Sequence, residues 1–222
     1  MAGAMAYGQM MADMGMSVDA PWTVTDVVVT FVMWSVMMVG MMAPSAAPVV
    51  TLFAAMQRGR GAGASPAIVF GAGYVVIWSA FSAVAALAQW ALHEGALLSP
   101  GMAVTSVRLG AVVLIAAGIY ELTPLKGACL THCRTPLGFL MSHWREGTRG
   151  ALAMGIRHGA YCVGCCWALM ILLFVGGVMN LLWVAALTLV VLVEKAAPGG
   201  IVIARTAGAV MIGAGLLRLF VS

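Results

Sequence analysis

Residues 181–193 read LLWVAALTLVVLV, and residues 111–119 read AVVLIAAGI. Neither run alternates apolar with polar, so each is hydrophobic on every face. A membrane barrel strand needs alternating segments of about ten residues, which excludes a barrel. A helix at the surface of a water-soluble domain would carry a polar face. In lipid the backbone must satisfy its own polar groups, and a helix does so within one segment. Both runs therefore read as parts of transmembrane helices.

Composition extends that reading to the rest of the chain. Of the 222 residues, 63% are hydrophobic and 8% charged, with a mean hydropathy of +1.05, whereas soluble domains carry about 25% charged residues. With Gly, Pro and charge as punctuation, spans are predicted near residues 24–43, 67–92, 104–124, 158–175, 178–194 and 200–220. The expected fold is all-α, a polytopic transmembrane bundle of about six helices over residues 23–222. A Met-rich extramembrane tail, residues 1–22, precedes it. The first span has room to run past Pro44 and Pro48 to Met56, with a kink expected where the carbonyls of Gly40 and Pro44 lose their N–H partners. Ala204 with Gly208 and Ala209 with Gly213 have the spacing of close helix packing.

The net charge of +4 and pI near 9.0 do not point to nucleic acid, because the eleven Lys and Arg are scattered at helix ends. They act instead as topology signals. Arg58, Arg60, Lys126, Arg134, Arg145, Arg149, Arg157, Lys195 and Arg205 fall on one side of the predicted bundle, and Arg108 and Arg218 on the other. By the positive-inside rule the odd-numbered loops face the cytoplasm of a bacterial inner membrane and both termini the periplasm. Residues 1–22 hold no Lys or Arg and no apolar core of a signal peptide, so the first helix is expected to direct insertion.

All five cysteines lie in two short stretches. Cys129, His132 and Cys133 have i, i+3, i+4 spacing and converge if the segment makes one helical turn. In the second stretch, His158, Cys162 and Cys165 project within an arc of about 60°, with Cys166 about 80° from His158. Thiolate and imidazole at such spacing suit a soft metal. The candidate ligands are Cys129, His132, Cys133, His158, Cys162, Cys165 and Cys166. Copper is the expected ion and zinc the alternative, although neither stretch has the two separated pairs of a structural zinc site. Free cysteine is also a small hydrophobe common inside membrane bundles. Five cysteines and two histidines in two stretches make that explanation harder than it is for one.

Methionine is the second anomaly, at eighteen residues. Six fall within residues 1–16, and Met33, Met37, Met38, Met41 and Met42 lie in the first span, where Met33, Met37 and Met41 form an i, i+4 stripe. Thioethers are soft ligands suited to Cu(I), and they also serve as flexible packing. Glu121, Lys126, Glu194 and Lys195 stand at predicted helix ends, where snorkelling or mutual pairing is expected. Glu121, close to the Cys129 stretch, is in addition a candidate proton or metal group.

The segments MWSVMMVGMMAPSAAP, GIYELTPLKGACLTHCRTP, HGAYCVGCCWALM and GVMNLLWVAALTLVVLVEK occur in this order. Over residues 34–195 the chain resembles a bacterial domain-of-unknown-function family of predicted metal-binding integral membrane proteins. The resemblance implies a multi-pass inner-membrane protein with a metal site on the seven Cys and His residues named above.

Three functions follow as expectations. The favoured one is a soft-metal protein that receives Cu(I) at outward-facing methionines and passes it to a thiol and imidazole site, for transport, storage or delivery. The second is a thiol-disulfide oxidoreductase on the Cys162-x-x-Cys165 pair, with the thiols at a helix start where the dipole favours thiolate. The third is a non-catalytic accessory subunit of a larger membrane complex. The partners implied are the lipid bilayer and a metallochaperone or membrane-complex subunits. No catalytic residue is assigned.

Overall fold

A computed structural model describes residues 22–61, 63–99 and 102–221. The chain runs through α1 (Val24–Gly59), α2 (Ser65–Glu94), α3 (Val107–Leu122), α4 (Pro124–Arg134) and α5 (Pro136–His143). It continues through α6 (Gly147–Ile171), the single turn α7 (Leu173–Gly176), α8 (Leu181–Ala196) and α9 (Gly200–Val221). Among the described residues the only extended pairing is an isolated bridge between Leu98 and Val104. The all-α expectation holds. The six methionines within residues 1–16 lie outside the described residues.

The helix count differs from the six predicted spans. Among the described residues four segments are long and apolar enough to cross a membrane, Val24–Gly59, Ser65–Glu94, Gly147–Gly176 and Gly200–Val221, or five if the bent pair α3–α4 is one span. At 16 residues, α8 is about 24 Å long, short of a hydrocarbon core of about 30 Å. The third predicted span also ends early, because Pro124 cannot continue the helix and holds Thr123 in an extended conformation (φ −72°, ψ 149°). Thr123 then caps Lys126 N–H, and α4 leaves at 64° to α3.

Two boundaries move outward. The fourth span was predicted to begin at residue 158, but α6 begins at Gly147, since Arg149 and Arg157 sit on its exposed side and do not interrupt it. Cys162 and Cys165 are therefore halfway along a helix rather than at its start, and the dipole argument for a reactive Cys162-x-x-Cys165 pair fails. α1 runs on through Pro44 and Pro48 to Gly59, as its sequence allowed. Thr23 and Asp26 close its N-terminus with a reciprocal capping box.

Both the interior and the exterior are apolar, as lipid requires. Val28, Val32 and Val36 face outward from α1, while Trp34, Met38, Met42, Ala46, Val49 and Phe53 face the core. Helices close up where side chains are absent. A Cβ on Gly155 of α6 would strike the Phe70 backbone of α2, and one on Gly208 of α9 would strike Gly118 of α3. Ala204 packs on the same face as Gly208, but Ala209 is exposed and Gly213 has open space beside it, so that predicted pair makes no close crossing.

Contacts between chain turns define two ends. Trp22 stacks on His93, and Val104 N–H donates to the Phe174 carbonyl at one end. At the other, Arg60 pairs with Glu146 at 3.2 Å and lies over the Trp144 ring.

Candidate functional site

α6 places Cys162, Cys165 and Cys166 against α4, which carries Cys129 and Cys133. All five are free thiols, and the three on α6 are each 1% exposed. Cys165 Sγ lies 3.3 Å from Cys166 Sγ and 3.8 Å from Cys133 Sγ, and its thiol points to the Cys162 carbonyl at 3.2 Å. Two sulfurs bound to one ion through bonds of about 2.3 Å stand at most about 4.6 Å apart, so these spacings are compatible with shared ligation. Cys129 sits to the side. Its sulfur packs over Gly164, where any Cβ would strike it at 2.9 Å, and the neighbouring Tyr120 hydroxyl donates to the Gly164 carbonyl.

Cys162 faces a second set of groups. Its Sγ is 3.1 Å from the Tyr74 hydroxyl of α2 and accepts from the Lys195 ammonium of α8 at 3.0 Å. The same ammonium donates to Ser45 Oγ at 3.1 Å and reaches Met42 Sδ at 3.9 Å, both on α1. Three helices besides α6 thus converge on one cysteine.

The two histidines are separate from the sulfurs and from each other. His158 is buried one turn before Cys162, in a box of Phe70, Tyr74 and Phe139 rings, and its Nδ1 has no hydrogen-bond partner. His132 stacks on Tyr161 with ring centres 4.2 Å apart, and its Nδ1 meets the Ala128 carbonyl. Of the predicted methionine stripe, Met41 is buried and Met33 and Met37 are half-buried against the core. Met42, off that stripe, is the methionine beside Lys195.

Glu121, Lys126 and Glu194 form a buried ion group next door, each 1–2% exposed. The Lys126 ammonium donates to Glu121 and, at 2.7 Å, to Glu194, while Glu121 Oε1 and Glu194 Oε1 keep no partner. Arg134 donates to the Glu194 backbone carbonyl. Mutual pairing, one of the two expectations for these residues, describes this trio; Lys195 instead turns inward to Cys162.

Tyr74 and Ser45 were not singled out from the sequence, and Lys195 and Met42 stood out there only as a helix-end lysine and one of five methionines in the first span. Lys195 is indistinguishable there from a snorkelling helix-end lysine, and Tyr74 lies 88 positions from Cys162. Among the described residues no group of three or more His, Cys, Asp or Glu could hold a metal ion as placed. The sulfurs stand as close pairs, with the Met42 thioether beside the lysine that meets Cys162. That donor set fits a soft monovalent cargo such as Cu(I) and offers nothing to a hard cation.

Comparison with curated proteins and with solved structures gives no match. The sequence profile of one family, PpoB2, described as a copper chaperone, matches residues 31–218. That range begins seven residues into α1, ends in the last turn of α9 and contains the seven Cys and His candidates with Met33, Met37 and Met41, and the chain belongs to this copper chaperone family.

Proposed function

We propose that this chain is a multi-pass membrane copper chaperone that holds Cu(I) on sulfur inside its bundle and releases it to a partner that needs the metal. The observation that carries the reading is the convergence of Cys133, Cys162, Cys165 and Cys166, all reduced and nearly all buried, with Met42. Thiol and thioether donors select Cu(I), and a buried site keeps the bound ion from water and oxidants. The bacterial inner membrane, with the Arg60 and Arg145 end in the cytoplasm, is the setting that the positive-inside rule supports.

Zinc fits less well: a structural zinc site takes four tetrahedral ligands, and among the described residues no group of three or more His, Cys, Asp or Glu could hold a metal ion as placed. Burial also weighs against the oxidoreductase alternative: a substrate disulfide cannot reach sulfurs that are 1% exposed. The accessory-subunit reading converges on this one if the larger complex is the recipient of copper.

The test is the purified full chain in detergent or nanodiscs, titrated with Cu(I) against a chromophoric Cu(I) chelator. Tight binding is expected in the wild type and strong weakening in Cys162→Ser. Binding that survives simultaneous replacement of Cys133, Cys162, Cys165 and Cys166 would remove the proposal.

A further inference from the structure

The Lys195 ammonium is surrounded by lone pairs that a soft cation would use. Cys162 Sγ at 3.0 Å, Ser45 Oγ at 3.1 Å and Met42 Sδ at 3.9 Å all meet this one nitrogen. A thioether is a weak hydrogen-bond acceptor, so Met42 gains little from an ammonium and much from Cu(I). Lys195 is partly exposed and stands in the last turn of α8, and a lysine stem is flexible enough to carry its head outward. The neighbouring ion group carries two carboxylates against one ammonium, with an unpartnered oxygen on each carboxylate. Its excess negative charge lowers the cost of two cations passing each other beside Cys162.

Building on the copper reading above, we propose that Lys195 is a built-in cation that keeps the place of Cu(I) between Cys162 and Met42, and that loading exchanges one for the other. On loading, Cu(I) enters with its single charge, the Lys195–Cys162, Lys195–Ser45 and Lys195–Met42 contacts break, and bonds form from Cys162 Sγ and Met42 Sδ to copper. No electron moves, the ammonium keeps its protons as it leaves, and the Cys162 thiol gives up its proton to water as its sulfur bonds copper, so one charge enters and one leaves. The empty site is thereby kept polar and closed, so its sulfurs neither collapse onto one another nor face lipid uncompensated. Unloading reverses the exchange, and the returning ammonium helps to drive the ion out. Lys195 is a positioning residue in this scheme and Met42 a copper ligand.

The first measurement needs no variant. The full chain in nanodiscs is treated with a small amine-acylating ester, without metal and after one equivalent of Cu(I), and acylation of Lys195 is read by peptide mass spectrometry with Lys126 as internal reference. Acylation of Lys195 should rise about tenfold on loading, the size expected when one charge-assisted contact is released, while Lys126 stays constant. Equal acylation with and without copper overturns the exchange. The second measurement is Cu(I) affinity by chelator competition. Lys195→Leu, which removes the competing cation without adding a donor, should bind about tenfold more tightly, and Met42→Leu about tenfold more weakly. Lys195→Leu with unchanged or weaker affinity also overturns the proposal. Wild-type binding that is lost in Cys162→Ser while Lys195→Leu changes nothing sinks this inference alone. A wild type that binds no Cu(I) sinks the copper reading with it.

Discussion

Glu194 and Lys195 are adjacent in sequence yet serve different sites, because successive helical residues point about 100° apart. Glu194 turns to Lys126, and Lys195 to Cys162. The same geometry sorts the cysteines. Cys165 is the hub, in contact with Cys166, with Cys133 and with the Cys162 backbone, whereas Cys129 lies over Gly164. Cys165→Ser and Cys133→Ser should therefore each weaken Cu(I) binding by at least about 10- to 100-fold, the range that even outer-shell losses reach at metal sites. Cys129→Ser should leave affinity within about threefold, or about 0.6 kcal/mol. Chelator competition on the three variants checks the ranking, and a Cys129 variant as impaired as Cys165→Ser would contradict it. Tyr74→Phe removes one neutral hydrogen bond to Cys162 and should cost about 1 kcal/mol of unfolding free energy without changing copper stoichiometry.

At the level of the element, α3, α4 and α8 are held by the Lys126 bridge between Glu121 and Glu194. Removing one partner of a buried pair leaves an uncompensated charge, so Lys126→Met alone should destabilise the protein by about 3–5 kcal/mol. Adding Glu121→Gln and Glu194→Gln should recover most of that loss, because the stranded carboxylates are then gone. Chemical unfolding in detergent, followed by tryptophan fluorescence, compares the single and triple variants; a single variant as stable as wild type would show the bridge to be idle. Gly155 sets the α2–α6 approach, where any Cβ meets the Phe70 backbone. Gly155→Leu should push α6 away from α2 and disturb Tyr74 and Cys162 together, lowering both stability and Cu(I) affinity.

For the whole molecule, the described contacts put the chain turns at two ends, with His93, Val104 and Phe174 at one and Arg60, Trp144 and Glu146 at the other. The proposed topology, argued from charge, has the Arg60 end in the cytoplasm. Single cysteines introduced at Gly61 and Gly147, in a chain whose native cysteines are replaced by serine, should resist a membrane-impermeant maleimide in intact cells. One at Ala96 should react. The opposite pattern would invert the topology and put the basic loops outside.

Hydropathy alone made the all-α character legible, because runs such as residues 181–193 are apolar on every face and leave a helix as the way for the backbone to satisfy itself in lipid. It also marked every cysteine as a candidate, since thiol chemistry travels with residue type. The number of crossings was not legible: α8 is apolar throughout but too short, and α6 is helical well before its apolar stretch begins. Composition measures what lipid tolerates, not where hydrogen bonding along the axis stops. The site was only half legible for a related reason. Spacing along α6 brought Cys162, Cys165 and Cys166 together, but Tyr74 and Lys195 reach Cys162 from α2 and α8, and Met42 and Ser45 of α1 meet that same lysine. Which faces of those helices meet is set by packing at glycines such as Gly155 and by the kind of bend found at Pro124. Tertiary structure alone decided that a lysine ammonium stands against the Cys162 sulfur, because that lysine arrives on a different helix, 33 positions away.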